Sequence, residues 1–369
     1  MSAVLDPPAP ARKGWRWPSG VTWRQPMTVW TLGSLLLLLT LVWAAGRGAY
    51  AIDPQLLPGI VWRAVSGRGD GSTASLVFAH IRLPRLLLGL AAGAGLGVAG
   101  ALMQGLFRNP LADPGLIGVS SGAALAAGVA IVLGAQFWPE LPRALGSWPL
   151  ILAAFAGGLA VTMLIYLLAQ TGGGTHVALM LLAGVAVNAL AGAGIGYLSY
   201  VATDEQLRSL QFWLLGSLGG ARWSTVLPVL LFSALTLLLG LGLARTLNAL
   251  ALGEAQAVLL GVPVEAHKRW CILGAAMAVG AVTATTGMVG FIGLVAPHMV
   301  RLVFGPDHRL VVPGSALLGA VLVLIADSLA RTVAAPAELP LGVLTATLGA
   351  PFFLFLLRGM RSRLDRTSV

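Results

Sequence analysis

Charge is what this chain has least of. Only 10% of its 369 residues are Asp, Glu, Lys or Arg, against about a quarter in a soluble globular domain. With 57% of the residues hydrophobic, so few charges cannot cover a water-facing surface, and an ordinary soluble domain is excluded. Acidic residues are the scarcer kind, 13 against 23 Lys and Arg. No two carboxylates stand where acid–base catalysis would need them, and no Ser-His-Asp arrangement is present. There is one cysteine, Cys271, so there is no disulfide framework and no thiolate metal site. It reads as a small apolar residue near a helix end. His80, His176, His267, His298 and His308 are scattered without zinc-type spacing. No metal site, catalytic residue or cofactor is expected in this chain. The net charge of +10 does not point to nucleic acid, because the basic residues lie between apolar runs and at the two ends.

What the chain has in quantity is long apolar runs. A bilayer span needs about 20 such residues. Ten can be placed, at 27–46, 83–106, 116–134, 149–169, 177–200, 225–244, 271–287, 290–304, 311–330 and 340–357. The eighth is short for a full crossing. The fold class is therefore all-α, a polytopic membrane protein with about ten transmembrane helices, some short or irregular. Residues 1–26 read as an N-terminal tail, 27–358 as the membrane domain and 359–369 as a C-terminal tail. The basic flank before residue 27 is too long for a secretory leader, so the first run is read as a retained span.

Ten spans put both termini on one side. Of the 23 Lys and Arg, fourteen then fall on the side of the termini and nine on the other. By the positive-inside rule the termini are cytoplasmic. The stretch 47–82 then lies outside, and so do Arg82 and Arg85 of "RLPR" and Arg331 at the end of the ninth span. Two readings of these outward arginines stand. They anchor helix ends by snorkelling, or they form a basic patch that meets acidic groups on a docking partner.

Several motifs are decoys. "GLGVAG" (95–100) matches G-x-G-x-x-G, but no strand precedes it and the apolar helix runs on. With Gly93 and Gly97 it reads as a helix-packing stripe. "TGGGTH" (171–176) lacks the G-K-[S/T] of a phosphate loop, so any nucleotide must come with another subunit. Asp113-Pro114-Gly115 suits a tight turn between two spans. Residues 247–270 carry Glu254, Glu265, His267, Lys268 and Arg269 among Ala and Leu at helical spacing. They read as one or two short amphipathic helices on the inner face. The apolar Leu252, Val258, Leu259 and Leu260 there suit a docking element for a soluble partner.

"RLPR", "QGLFRNPLADPGLIGVSSGAALAAG", "LALGEAQAVLLGV", "GFIGLVAPHMVRLVFGPDHR" and "ELPLGVLTATLGAPFFLFLL" stand in an order that resembles the FecCD family over residues 27–358. Those proteins are permeases of binding-protein-dependent ABC importers for iron-siderophores, haem and cobalamin. The resemblance implies a homodimer in the bacterial inner membrane, with a translocation path along the dimer axis. It implies two ATP-binding subunits, carrying the ATP and Mg, docked on the 247–268 loop. Leu252, Gly253, Glu254, Ala255, Leu260 and Gly261 would be coupling residues. It implies a periplasmic binding protein whose acidic residues meet Arg82, Arg85 and Arg331. "DEQLR" and "FWLLGSLGG" within 200–223 look like the haem-permease branch. Arg208 would then lie near the outer mouth, facing a haem propionate; pairing with Asp204 or Glu205 is the competing reading. A ferric siderophore or cobalamin is the alternative substrate. An ion-coupled secondary transporter would need intramembrane acids, and only Asp327 is well placed.

Overall fold

A computed structural model describes residues 26–48, 55–66, 71–137, 140, 144–172 and 174–367. Residues 1–25 of the expected N-terminal tail (1–26), and Arg68 and Arg143, lie outside the described residues. The described residues are helical nearly throughout. They start with α1 (Pro26–Gly46), α2 (Leu57–Val65) and α3 (Thr73–Val77). A π-turn at Phe78–Arg82 joins α3 to α4 (Leu83–Leu106). Then come α5 (Val119–Val129), continued by a π-turn to Gly134, α6 (Trp148–Leu168) and α7 (Val177–Val201). The second half holds α8 (Asp204–Leu215), α9 (Trp223–Ala251), α10 (Glu254–Leu259), α11 (Val264–Thr286), α12 (Ile292–Phe304), α13 (His308–Val333) and α14 (Leu341–Thr367). A two-residue hairpin, β1 (Gln170–Thr171) with β2 (Gly174–Thr175), closes the α6–α7 connection.

Seven of these helices are long and apolar enough to cross a bilayer, and Val119–Gly134, Ile292–Phe304 and Leu341–Leu354 are shorter apolar helices. The ten expected spans correspond to these ten segments one for one. Two boundaries differ in a way that matters. The expected sixth span, 225–244, runs to Ala251, and the seventh begins at Val264 instead of 271. Ala, Leu and Asn at 247–251 continue the helix until Gly253, whose φ of +121° only glycine holds without strain. The connection thereby narrows to residues 252–263, with α10 inside it.

The order of packing follows from the small residues. Helix α4 lies at the centre, against α13, α9, α11 and α12. Its Gly93 and Gly97 face the backbone of Gly319 and Ser315 on α13, where any Cβ would overlap a carbonyl oxygen. Membrane helices gain little from apolar burial against lipid, so close backbone contact of this kind is what joins them. Around it a core of Leu88, Leu96, Val98, Leu102, Met103, Val279 and Val323 is shut off from the surface. Helix α12, with 13 residues, is about 20 Å long and too short for a core about 30 Å thick. Its entry at Phe291 (φ 66°) and its exit at Gly305 (φ 89°) are non-helical, and both residues are half-buried.

Candidate functional site

Two polar clusters stand at opposite ends of the bundle. The first gathers where α4 begins and α13 ends. Arg85 is buried and forks between two carboxylates. Its Nε and Nη2 donate to Asp327 Oδ1 at 3.0 and 2.9 Å, and its Nη1 and Nη2 donate to Glu338 Oε1 and Oε2 at 2.8 and 2.9 Å. Arg331 pairs with Asp327 from one turn on, Nε to Oδ2 at 3.1 Å, and donates to the Arg47 carbonyl at 3.0 Å. Arg82, 4% exposed, donates to the Ala45 carbonyl. The guanidinium groups of Arg82 and Arg331 both reach Gly48, where a Cβ would sit 3.1 and 3.3 Å from them. The sequence-derived trio is therefore brought together, but with counter-ions inside the chain. The Asp327 side chain is 3% exposed, while Glu338 is 43% exposed at the rim. The Arg85 hydrogen bonds hold the Glu338 carboxyl below the usual carboxylate range.

The second cluster fixes the 252–263 connection. Lys268 is 2% exposed, and its Nζ donates to Glu254 Oε2 at 2.8 Å, Glu265 Oε1 at 2.9 Å and the Thr175 carbonyl at 2.9 Å. All three ammonium donors are thus used, one each on α10, α11 and the β-hairpin. Glu265 returns a bond by accepting from Thr175 N at 2.9 Å. Leu252, Leu259 and Leu260 are exposed, as are Ala255 and Gly261, so α10 presents an uncovered apolar face. Lys268 was legible only as one loop charge among several. The missed signal is its spacing from Glu265, which puts the two on one helix face.

A third network ties four helices behind this end. Arg301 meets Gln104 and, at 3.2 Å, His308 Nε2. Asn248 accepts from His308 N at 2.9 Å and donates to Asp307 Oδ1 at 2.7 Å. Asp307 caps α13 and is gripped by Arg309, which holds its carboxyl down to about 2. Among the described residues no group of His, Cys, Asp or Glu could hold a metal ion. Arg208 stands exposed on α8 with no ion pair to Asp204 or Glu205 among the described residues. The helix itself lies between the expected spans 177–200 and 225–244. Its start is a capping box, Thr203 with Gln206, which "TDEQ" spells out.

Residues 30–359 match the FecCD transport family. The chain is 45% identical over 334 residues to the hemin transport system permease protein HmuU of Yersinia pestis, covering 90% of this chain and 96% of that one. It is 44% identical over 298 residues to the cobalamin import system permease protein BtuC of Halobacterium salinarum, covering 80% and 77%. A solved ABC transporter assigned to the metal-chelate type, in an inward-facing conformation, superposes with a TM-score of 0.78 at 31% identity, over 91% of this chain and all of that one.

Proposed function

The chain belongs to the FecCD transport family, and from that premise we propose that it is the membrane permease of an ABC importer for haem. The observation that carries the substrate is the 45% identity to a hemin permease over 96% of its length. The 44% identity to a cobalamin permease keeps a corrinoid or ferric siderophore as the second reading. Arg208, exposed and without an ion pair among the described residues, is free to meet a propionate.

The permease works as a homodimer in the bacterial inner membrane, with both termini cytoplasmic as the Lys and Arg distribution favours. It performs no covalent chemistry. ATP and Mg are held by two cytoplasmic ATP-binding subunits that seat on Leu252, Gly253, Glu254, Ala255, Leu260 and Gly261. The uncovered apolar face of α10 supports this, and the Lys268 joint gives the motion a path. Through it, α10 cannot move without α11 and the hairpin that starts α7. Nucleotide-driven closure thus shifts the balance between inward-open and outward-open states. At the other end a periplasmic binding protein docks through carboxylates onto Arg82, Arg85 and Arg331. With Asp327 buried between them, the exposed Glu338 is the counter-ion an incoming carboxylate can replace. Asp327, the acid best placed for an ion-coupled mechanism, is itself spent on two arginines.

The test is uptake in proteoliposomes holding this chain with its ATPase and binding protein. Haem should enter only with ATP, and uptake of cobalamin or a ferric siderophore instead would reassign the substrate. Uptake driven by an ion gradient without ATP would overturn the importer reading.

A further inference from the structure

We propose that the groove between α6 and α11 is a binding site for one anionic phospholipid. The groove has a volume of about 470 Å³ and is lined by Leu159, Met163 and Tyr166 of α6 and by Arg269, Trp270 and Leu273 of α11. Both helices are long apolar spans, so its mouth opens sideways to the bilayer. The lining is graded along its length. Arg269, Trp270 and Tyr166 lie at the end near the 252–263 connection, and Leu159 lies seven residues, about 10 Å, deeper. That is the gradient of a lipid, with a head group at the interface and a chain pointing inward.

One unpartnered charge specifies the occupant. Arg269 is exposed and makes no ion pair among the described residues. A phosphate on its guanidinium supplies the missing counter-ion, with the acyl chain along Tyr166, Met163, Leu273 and Leu159. A zwitterionic head group would set its own cation against Arg269, so the site favours a net anion. Arg269 belongs to neither the docking nor the coupling surface, and the inference needs only that α6 and α11 cross a bilayer.

The experiment is native mass spectrometry of the full chain in mild detergent, titrated with dioleoyl phosphatidylglycerol or dioleoyl phosphatidylcholine. Wild type should retain one phosphatidylglycerol. Arg269→Gln should need about tenfold more of it, the size of one charge-assisted hydrogen bond. Arg245→Gln, an exposed arginine on α9 outside the groove, should bind as wild type. Phosphatidylglycerol should also raise the melting temperature of wild type and not of R269Q, which separates lost binding from lost folding. Equal retention by wild type and R269Q, an equal loss in R245Q, or no preference over phosphatidylcholine would overturn the proposal. So would a disulfide between two copies of M163C with no lipid retained, since the groove would then be filled by a second copy.

Discussion

Replacing Asp327 by Asn tests whether the arginine cluster is held together from inside. The carboxylate is 3% exposed and is shared by Arg85 and Arg331. Asn keeps its shape but removes the charge, and its amide brings donors into a space already filled with donors. Arg85 keeps Glu338, while Arg331 loses its buried counter-ion and retains only weaker bonds to carbonyl and hydroxyl groups. Removing one partner of a buried pair costs about 3–5 kcal/mol. Because Glu338 still serves Arg85, the lower end, about 3 kcal/mol, is expected. Glu338→Gln breaks an ion pair whose acid is 43% exposed, where water compensates and the cost is about 0–1 kcal/mol. The assay is equilibrium unfolding of both variants in mixed detergent and SDS, followed by tryptophan fluorescence. Adding Arg331→Met to D327N should restore part of the loss, since it removes the stranded charge. A D327N variant within about 1 kcal/mol of wild type, or one no worse than E338Q, would refute the reasoning.

Lys268→Met should leave the ATPase subunits bound and hydrolysing while uptake per ATP falls several-fold; retained coupling, measured as the ratio of haem uptake to phosphate release, would dismiss the joint. Glu338→Gln should tighten binding-protein capture at low salt, because an incoming carboxylate no longer competes with it; unchanged or weaker capture in a pull-down titration would make Glu338 a brace only. Gly97→Val should cost about 1–3 kcal/mol or more and lower the yield of folded chain on gel filtration, since its side chain would overlap the Ser315 carbonyl. Asp307 has a folded-state pKa lowered to about 2 by Arg309 and Asn248. Its capping contribution is full above the ordinary carboxylate value and is lost as pH falls from about 4 towards 2; D307N should flatten that part of an acid-unfolding curve, and an unaltered curve would show that the cap contributes nothing there.

The spans were legible because bilayer thickness and residue apolarity set them one at a time. Asp113 shows the same locality, accepting from Gly115 N at 2.7 Å as Asp-Pro-Gly suggests. The helix ends around 252–263 were less so, because Ala and Leu suit a membrane span and a solvated helix end equally. The candidate arginines were found by their sidedness, but their partners were not. Asp327 lies 242 residues from Arg85 and Glu338 lies 253, and no periodicity connects positions that far apart. Lys268 and Thr175, 93 residues apart, escaped for the same reason.

That limit changes what an outward arginine means. From sequence alone, an arginine beside a bilayer reads as either a lipid anchor or a free docking charge. In this fold Arg85 is neither in its resting arrangement, because both of its faces are occupied. The docking proposed for it would therefore be an exchange of carboxylates, and an exchange is weaker than pairing with a free charge by the strength of the bond given up. The chain keeps the buried partner, Asp327, fixed and offers only the exposed one, Glu338, for exchange. On the proposed docking, a binding protein would be held and released without any arginine being stranded in a low-dielectric site, which suits a partner that must leave after each delivery.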